Sequence, residues 1–305
     1  MGIKNLMKII QRFAPNSIKT VTIKDFTNKK IAIDANLMLF KLVGAIRYNN
    51  YDIFNKVNGE NKSVVHIHTL LMKLIGFVKY NITPIFVFDG KAPDIKAETI
   101  EERKKIINKI SINAKEYNEC IALIKLFGFA YIDSPEEADS QCAQLLKDGV
   151  VDYIVSDDLD MLIFGAGNLV KNFSIAEKKK FQLISLDQAL IELGINFNQL
   201  VELGILLGSD YYKITKKRSL GTITSYKYIK KYKTIKNIIK NVPDLEHDTK
   251  NITIVKDYFM NPTVIKNFGK IKQAKVSFVK LERFLLDSGF NKEKYIDYYL
   301  NKIRK

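Results

Sequence analysis

Seven carboxylates stand in this 305-residue chain where apolar segments end or helices begin: Asp34, Asp89, Glu137, Asp139, Asp158, Asp160 and Asp210. Hard divalent cations such as Mg²⁺ take oxygen ligands and keep several waters, so a few carboxylates per ion suffice. Two such ions about 3.5–4 Å apart can clamp the attacking and leaving oxygens of a phosphodiester. One acidifies a bound water, and the other offsets charge on the departing oxygen. Taken singly, each acid has an ordinary explanation. Asp34 and Asp89 read as turn or cap residues, and Glu137, after Ser134-Pro135, suits a helix N-terminus. Asp158 and Asp160 can act together only in a loop or first turn, because a spacing of two points helical side chains apart. Taken together they are hard to explain without cations, since like charges ~4 Å apart cost roughly 1–4 kcal/mol per pair at surface dielectrics.

The rest of the composition sharpens this reading. Lys plus Arg number 49 against 33 Asp plus Glu, a net charge of +16, which favours polyanionic partners. From Tyr211 to Val242 there are ten basic residues and no acidic ones, whereas Tyr131 to Asp160 holds nine acids and one base, Lys147. Concentrating carboxylates in a strongly basic chain is electrostatically costly unless cations reside there. The two cysteines, Cys120 and Cys142, suit a reducing compartment and argue against a disulfide framework. No signal peptide is read, so secretion is not expected, and Leu6 stands where a myristoylation motif needs Ser or Thr. No run approaches the ~18 apolar residues of a membrane span, so nucleic acid is preferred to a membrane as partner. His66 and His68 lack the ligand set of a zinc site, and neither a Ser/His/Asp nor a P-loop pattern occurs.

Positioning these acids requires a sheet. Lys30-Ile31-Ala32-Ile33-Asp34, Pro84-Ile85-Phe86-Val87-Phe88-Asp89 and Asp152-Tyr153-Ile154-Val155-Ser156-Asp157-Asp158 are short apolar runs ending in acids, the pattern of buried parallel strands. Helices are expected over 63–80, 111–127, 137–147, 186–193 and 197–207. Alternation of the two gives an α/β fold with a mostly parallel sheet and helices on both faces. Ligands in such folds bind beyond the carboxyl ends of the strands, where these acids fall. After about residue 197 strand signals fade and helices dominate. No linker or internal repeat divides the chain, so one integrated domain over 1–305 is expected, its parts running 1–93, 94–116, 117–196, 197–240 and 241–305. The charged stretch 94–115 reads as a helical excursion on the strand-end side.

In order and spacing the sequence resembles the flap endonuclease family, the XPG-type structure-specific 5′ nucleases with a PIN-like core. The match runs through Met1-Gly2-Ile3-Lys4-Asn5-Leu6, Ile31-Ala32-Ile33-Asp34-Ala35, Phe86-Val87-Phe88-Asp89-Gly90-Lys91-Ala92-Pro93, Ser134-Pro135-Glu136-Glu137-Ala138-Asp139, Val155-Ser156-Asp157-Asp158-Leu159-Asp160 and Leu207-Gly208-Ser209-Asp210-Tyr211. It covers residues 1 to about 240 and continues more weakly through Tyr258-Phe259-Met260-Asn261-Pro262. The resemblance implies that all seven acids coordinate two Mg²⁺ ions, with Mn²⁺ as a substitute, and that cleavage leaves a 5′-phosphate and a 3′-hydroxyl. It also implies that Lys96 and Arg103 bind the scissile phosphate and offset transition-state charge. On their own, both read as residues of a solvated helix face. Phe40 matches a base-stacking aromatic, although alone it reads as core beside Leu37, Leu39 and Leu42. Gly2 falls among the family's DNA contacts. The basic segment resembles a helix–hairpin–helix that grips duplex backbone, with helices 197–207 and 222–232, Gly221 and Thr222 at the hairpin, and Lys227, Lys230 and Lys231 on the second helix. In the family a potassium ion sits in this hairpin.

Several departures are visible. Ser219-Leu220-Gly221-Thr222 stands where the family reads Gly-hydrophobic-Gly-Pro, losing a glycine and the proline from the potassium-holding hairpin. Asp139 replaces the usual Glu, and the arch region at 94–116 is short. No sliding-clamp peptide is found. The partner expected is DNA with flaps, nicks or junctions, acted on by a monomer in replication, repair or recombination. Alternatives are a Holliday-junction resolvase or a mainly exonucleolytic enzyme of the same fold, a non-catalytic junction-binding scaffold, and a PIN-like single-strand ribonuclease. The basic duplex-gripping segment disfavours the last. Only six basic residues are Arg, and Lys, Ile and Asn abound, a bias suited to an AT-rich genome such as that of a parasite or large DNA virus. The expected place of work is the nucleus or, for a viral protein, a cytoplasmic replication compartment. Lys216-Lys217-Arg218 reads as a DNA-contacting patch in preference to a nuclear signal.

Overall fold

The computed structural model describes residues 3, 5–48, 53–57, 59–96, 112–211, 220–242, 249–269, 271 and 273–304. Among the described residues there are nine strands: β1 (Ile18–Val21), β2 (Lys30–Asp34), β3 (Phe54–Val57), β4 (Glu60–Ser63), β5 (Thr83–Phe88), β6 (Ala130–Asp133), β7 (Tyr153–Val155), β8 (Asn168–Lys171) and β9 (Phe181–Ser185). Seven form one sheet in the order β1-β9-β8-β7-β2-β5-β6. Strands β8, β7, β2, β5 and β6 are parallel, while β9 runs antiparallel to its neighbours β8 and β1. This is the mostly parallel sheet expected from the sequence.

The apolar runs are continuous because both faces of the sheet are covered. Along β5, Ile85 and Val87 enter one hydrophobic core while Phe86 and Phe88 enter the other. Ala32 of β2 faces the first core, and Ile31 and Ile33 face the second. The first core includes buried residues of helices Leu6–Phe13, Ala138–Lys147, Leu186–Leu193, Phe197–Leu207, Thr222–Tyr232 and Thr249–Met260. The second includes residues of Ala35–Arg47, Val65–Lys79, Ala114–Leu126, Phe278–Asp287 and Asp297–Arg304. Among the described residues no strand follows Ser185, and no single helix is long and apolar enough to cross a membrane.

Local signals set the helix limits. Asn196 and Gln199 form a reciprocal capping box at the start of Phe197–Leu207, and Gly194 closes the preceding helix in the left-handed region. Two expected limits are corrected. Helix 63–80 begins at Val65, because Ser63 pairs with Phe54 in the separate hairpin β3–β4. Helix 111–127 begins at Ala114, because Asn113 and Glu116 form a capping box there. Of the arch region expected at 94–116, residues 97–111 lie outside the described residues, as do residues 212–219 before and within the expected hairpin Ser219-Leu220-Gly221-Thr222.

Candidate active site

The parallel order β7-β2-β5 brings three strand ends side by side, and each delivers an acid. Asp34 ends β2 and caps the next helix, its Oδ1 accepting from the Leu37 N–H at 2.9 Å. Asp89 follows β5, and its Oδ1 accepts from the Ala138 N–H at 2.8 Å. Asp158 follows β7 and accepts from the Asp160 N–H at 3.0 Å. Asp160 opens the short helix Asp160–Ile163, so Asp158 and Asp160 straddle a loop and a first turn, the arrangement their spacing requires.

A cross-braced loop brings in Glu137 and Asp139. The Gly90 N–H donates to Glu136 O at 2.6 Å, Lys91 N–H to Pro135 O at 3.2 Å, and the Ser134 hydroxyl donates to Phe88 O at 2.8 Å. Only glycine fits at position 90, since a Cβ there would lie 1.9 Å from Ser134 O. Glu137 is the N-cap of Ala138–Lys147, which carries Asp139 in its first turn. Asp210 arrives after helix Phe197–Leu207, whose Gly204 packs against Ile3 and Ile163. That contact holds the helix against the segment bearing Asp160.

The electrostatics bind these acids into one network. Burial, and next the charge of Asp89, push Asp34 up to about 7. Burial followed by Asp158 and Asp34 raises Asp139 well above the carboxylate range. Burial followed by Asp158 does the same to Asp160, on which Asp210 and Glu137 also act. Desolvation, and less strongly Glu137, raises Asp89. Asp160 is 1% exposed, and neither of its carboxylate oxygens has a hydrogen-bond partner; Asp139 Oδ1 is likewise buried and unpartnered. The unpartnered buried oxygens of Asp139 and Asp160, set among carboxylates drawn from five segments, fit a site for hard divalent cations. Among the described residues no three His, Cys, Asp or Glu side chains close on one point as a ready-made cage. An open arrangement suits ions that retain waters.

Lys96 supplies positive charge within this group. Its ammonium pairs with Glu137 Oε1 and lies 4.2 Å from the centre of the Tyr211 ring. Desolvation opposes its charge, but Glu137 and Asp139 outweigh it, so its pKa is raised above that of an ordinary lysine. Two hydroxyls that sequence reasoning did not single out also reach Glu137: Tyr211 and, at 3.0 Å, Tyr258 donate to Oε2. Tyr211 adjoins Asp210 and carried that much of a signal. Tyr258 lies 121 positions from Glu137, and only the weaker family match over Tyr258-Phe259-Met260-Asn261-Pro262 touched it.

The other expected contacts are dispersed. Phe40 is half-buried and belongs to neither hydrophobic core, so its reading as a core residue is not supported. Gly221 is the exposed N-cap of Thr222–Tyr232 and Thr222 is half-buried, while Lys227, Lys230 and Lys231 are exposed. Gly2 and Arg103 lie outside the described residues. His66 is fully buried and hydrogen-bonded to Glu119 at 2.6 Å, and His68 packs on Tyr299, so both serve the interior. Both cysteines are buried thiols.

Residues 1–110 match the XPG N-terminal domain, and residues 128–210 match the XPG I-region. Flap endonuclease 1 of Cryptosporidium parvum (strain Iowa II) is 30% identical over 349 residues, covering 100% of this chain and 70% of the relative. Flap endonuclease 1 of Aedes aegypti is 32% identical over 284 residues, covering 85% of this chain and 72% of the relative. The chain spans 66% of the length of the Theileria parva relative. Among solved structures, the catalytic core of Rad2 in complex with DNA substrate superposes with a TM-score of 0.80 at 25% identity, covering 99% of this chain and 100% of that one.

Proposed function

This chain belongs to the XPG family of DNA nucleases, and we propose that it is a structure-specific 5′ nuclease that hydrolyses DNA phosphodiesters at a two-metal centre. The observation that carries this reading is the convergence of Asp34, Asp89, Glu137, Asp139, Asp158, Asp160 and Asp210 on one edge of the sheet, with Lys96 among them. Those seven carboxylates would hold two Mg²⁺ ions. Bound there, such ions would supply an acidified water and neutralise charge on the departing oxygen.

The remaining work belongs to the chain's own groups. Lys96 exchanges its Glu137 contact for the scissile phosphate, and Arg103 adds a second cationic contact. Phe40, on the helix that Asp34 caps, stacks on the nucleobase beside the cut. Gly2 contributes to DNA binding. Gly221, Thr222, Lys227, Lys230 and Lys231 grip duplex backbone without reading sequence, which sets the reach from duplex to cleavage point. The product ends are a 5′-phosphate and a 3′-hydroxyl, and the protein acts as a monomer in replication, repair or recombination.

The test is cleavage of end-labelled 5′-flap, nicked and four-way-junction DNA with Mg²⁺ or EDTA, wild type beside Asp34→Ala. Mg²⁺-dependent incision near the flap junction, lost in the variant, is the expected result. Preferred cutting of the four-way junction would replace this reading with that of a resolvase. Folded wild-type protein that binds junctions and cuts none of them would leave a scaffold.

A further inference from the structure

We propose that Tyr258 is a positioning residue that holds the Glu137 carboxylate in place while Lys96 leaves it for a phosphate. The proposal rests on the reading of Glu137 as part of the metal centre. Among the described residues Glu137 has three side-chain donors. Lys96 takes Oε1, while Tyr211 and Tyr258 both donate to Oε2, Tyr258 at 3.0 Å. The two kinds of donor differ in how they are held. The lysine is a single charge at the end of a flexible stem. The phenols are fixed by their rings.

Those rings sit in an aromatic cluster. Tyr211 and Tyr258 are 5.3 Å apart, Phe164 lies 6.3 and 5.9 Å from them, and Phe259 lies 4.8 Å from Tyr211. Phe164 and Phe259 are each 1% exposed, so the cluster is a packed wall. Its hydroxyls anchor Oε2 and leave Oε1 as the exchangeable oxygen, beside Lys96 and the neighbouring acids. Without that anchor, release of Lys96 would free the carboxylate to rotate.

Tyr258 belongs to helix Thr249–Met260, beyond residue 210 where the matched I-region ends. The same helix places Lys256 on Glu202 at 2.6 Å, and Glu202 also accepts from the Ile235 N–H. One helix therefore touches both the acid cluster and Phe197–Leu207, the first of the helices assigned to duplex binding. Placement of this C-terminal helix is thereby linked to the direction of a carboxylate in the cleft.

The test uses Tyr258→Phe in the full chain, which keeps the ring and removes the hydroxyl. Three quantities are measured: single-turnover cleavage of a 5′-flap across Mg²⁺ concentrations, flap affinity in Ca²⁺, and the Mg²⁺ midpoint for thermal stabilisation without DNA. A hydrogen bond to a charged group has a net worth that corresponds to an effect of at least about tenfold. The expected result is about a tenfold fall in maximal cleavage rate, unchanged flap affinity, and a Mg²⁺ midpoint raised several-fold. An unchanged midpoint and cleavage rate would overturn the proposal, whatever happens to melting temperature. If wild type cuts nothing, the nuclease reading fails, and the DNA-free Mg²⁺ midpoint still decides the role of Tyr258.

Discussion

Replacing Lys73 by Met should stabilise the fold at neutral pH and lose that advantage in alkali. Lys73 lies on helix Val65–Lys79 and is 8% exposed. Its ammonium sits 4.7 Å from the Phe173 ring centre and 3.5 Å from the Phe173 carbonyl. It lines a cavity of about 210 Å³ walled by Leu37, Met38, Leu42, Val155 and Val170, which Asp34, Lys41 and Asp157 also line. Burial pushes its pKa from 10.5 down to about 8, with Asp157 partly opposing the shift. At roughly 1.4 kcal/mol per pH unit, that interval corresponds to about 3 kcal/mol of penalty for holding the charged form. The Phe173 contacts return about 1 kcal/mol, so the net gain from Lys73→Met at pH 7 is about 2 kcal/mol. The sign with pH follows from proton uptake on unfolding. Between pH 8 and 10.5 the unfolded chain binds a proton that the folded chain has released, so wild-type stability rises with pH across that window. Urea denaturation of both proteins in EDTA at pH 7, 8.5 and 10 measures this. The stability gap should be widest at pH 7 and should close by pH 10. A gap that stays constant with pH, or a variant less stable throughout, would show that the amine is effectively solvated and refute the reasoning.

Three further perturbations probe the site itself. Asp160→Asn removes the carboxylate whose two oxygens lack partners, so it should abolish cleavage, preserve flap affinity in Ca²⁺ and raise the melting temperature in EDTA by a few degrees. A lower melting temperature would contradict the crowding of like charge. Gly90→Ala places a Cβ 1.9 Å from Ser134 O and 2.7 Å from Pro135 O, so the brace between the Asp89 and Glu137 loops must open. Cleavage should fall more than about tenfold with a stability loss of at least about 2 kcal/mol, whereas Gly269→Ala, with nothing within 4 Å, should be silent in the same melts and assays. Lys230→Ala combined with Lys231→Ala should weaken binding to every duplex substrate and flatten the log–log salt dependence by about 1–2 in slope. Unchanged affinity and slope would remove these lysines from the duplex grip.

What the sequence reveals about this molecule follows the range over which each signal acts. Helices Leu186–Leu193 and Phe197–Leu207 are legible as helices because their signals are local, down to the caps Ser185, Gly194 and Asn196 with Gln199 beside them, whereas Thr222–Tyr232 was legible only through the family resemblance. Strands β2, β5 and β7 are legible because burial on both faces makes them apolar throughout, and their terminal acids mark the sheet edge. The hairpin β3–β4 was not, because its strands FNKV and ENKS are polar and largely exposed, with no apolar alternation to read. Lys73 interrupts the apolar run VHIHTLLMKLIGF, where a single lysine ordinarily marks a solvated face; its burial depends on Phe173, 100 positions away. The phenol of Tyr258 is the extreme case, since its partner comes from the opposite half of the chain.

The ordinary and functional readings of the acids are also less opposed than they seem on a sequence. Asp34 is a helix cap, Asp89 receives a backbone N–H from another helix start, and Asp158 receives one from the next turn. Each commits one oxygen to an N–H, which fixes the direction of the carboxylate and leaves its second oxygen for a cation. Such hydrogen bonds also favour the charged form, so they work against the burial and like charge that raise Asp34 and Asp89. Asp160 has no such bond and is the most enclosed of the acids, so it depends most on positive charge brought to the cleft. Lys96 meets part of that need from inside the chain. If Lys96 leaves for a phosphate, as proposed, the same acids become more demanding of cations at the moment DNA arrives. Substrate and metal should therefore bind cooperatively, through the charge that Lys96 carries from one to the other.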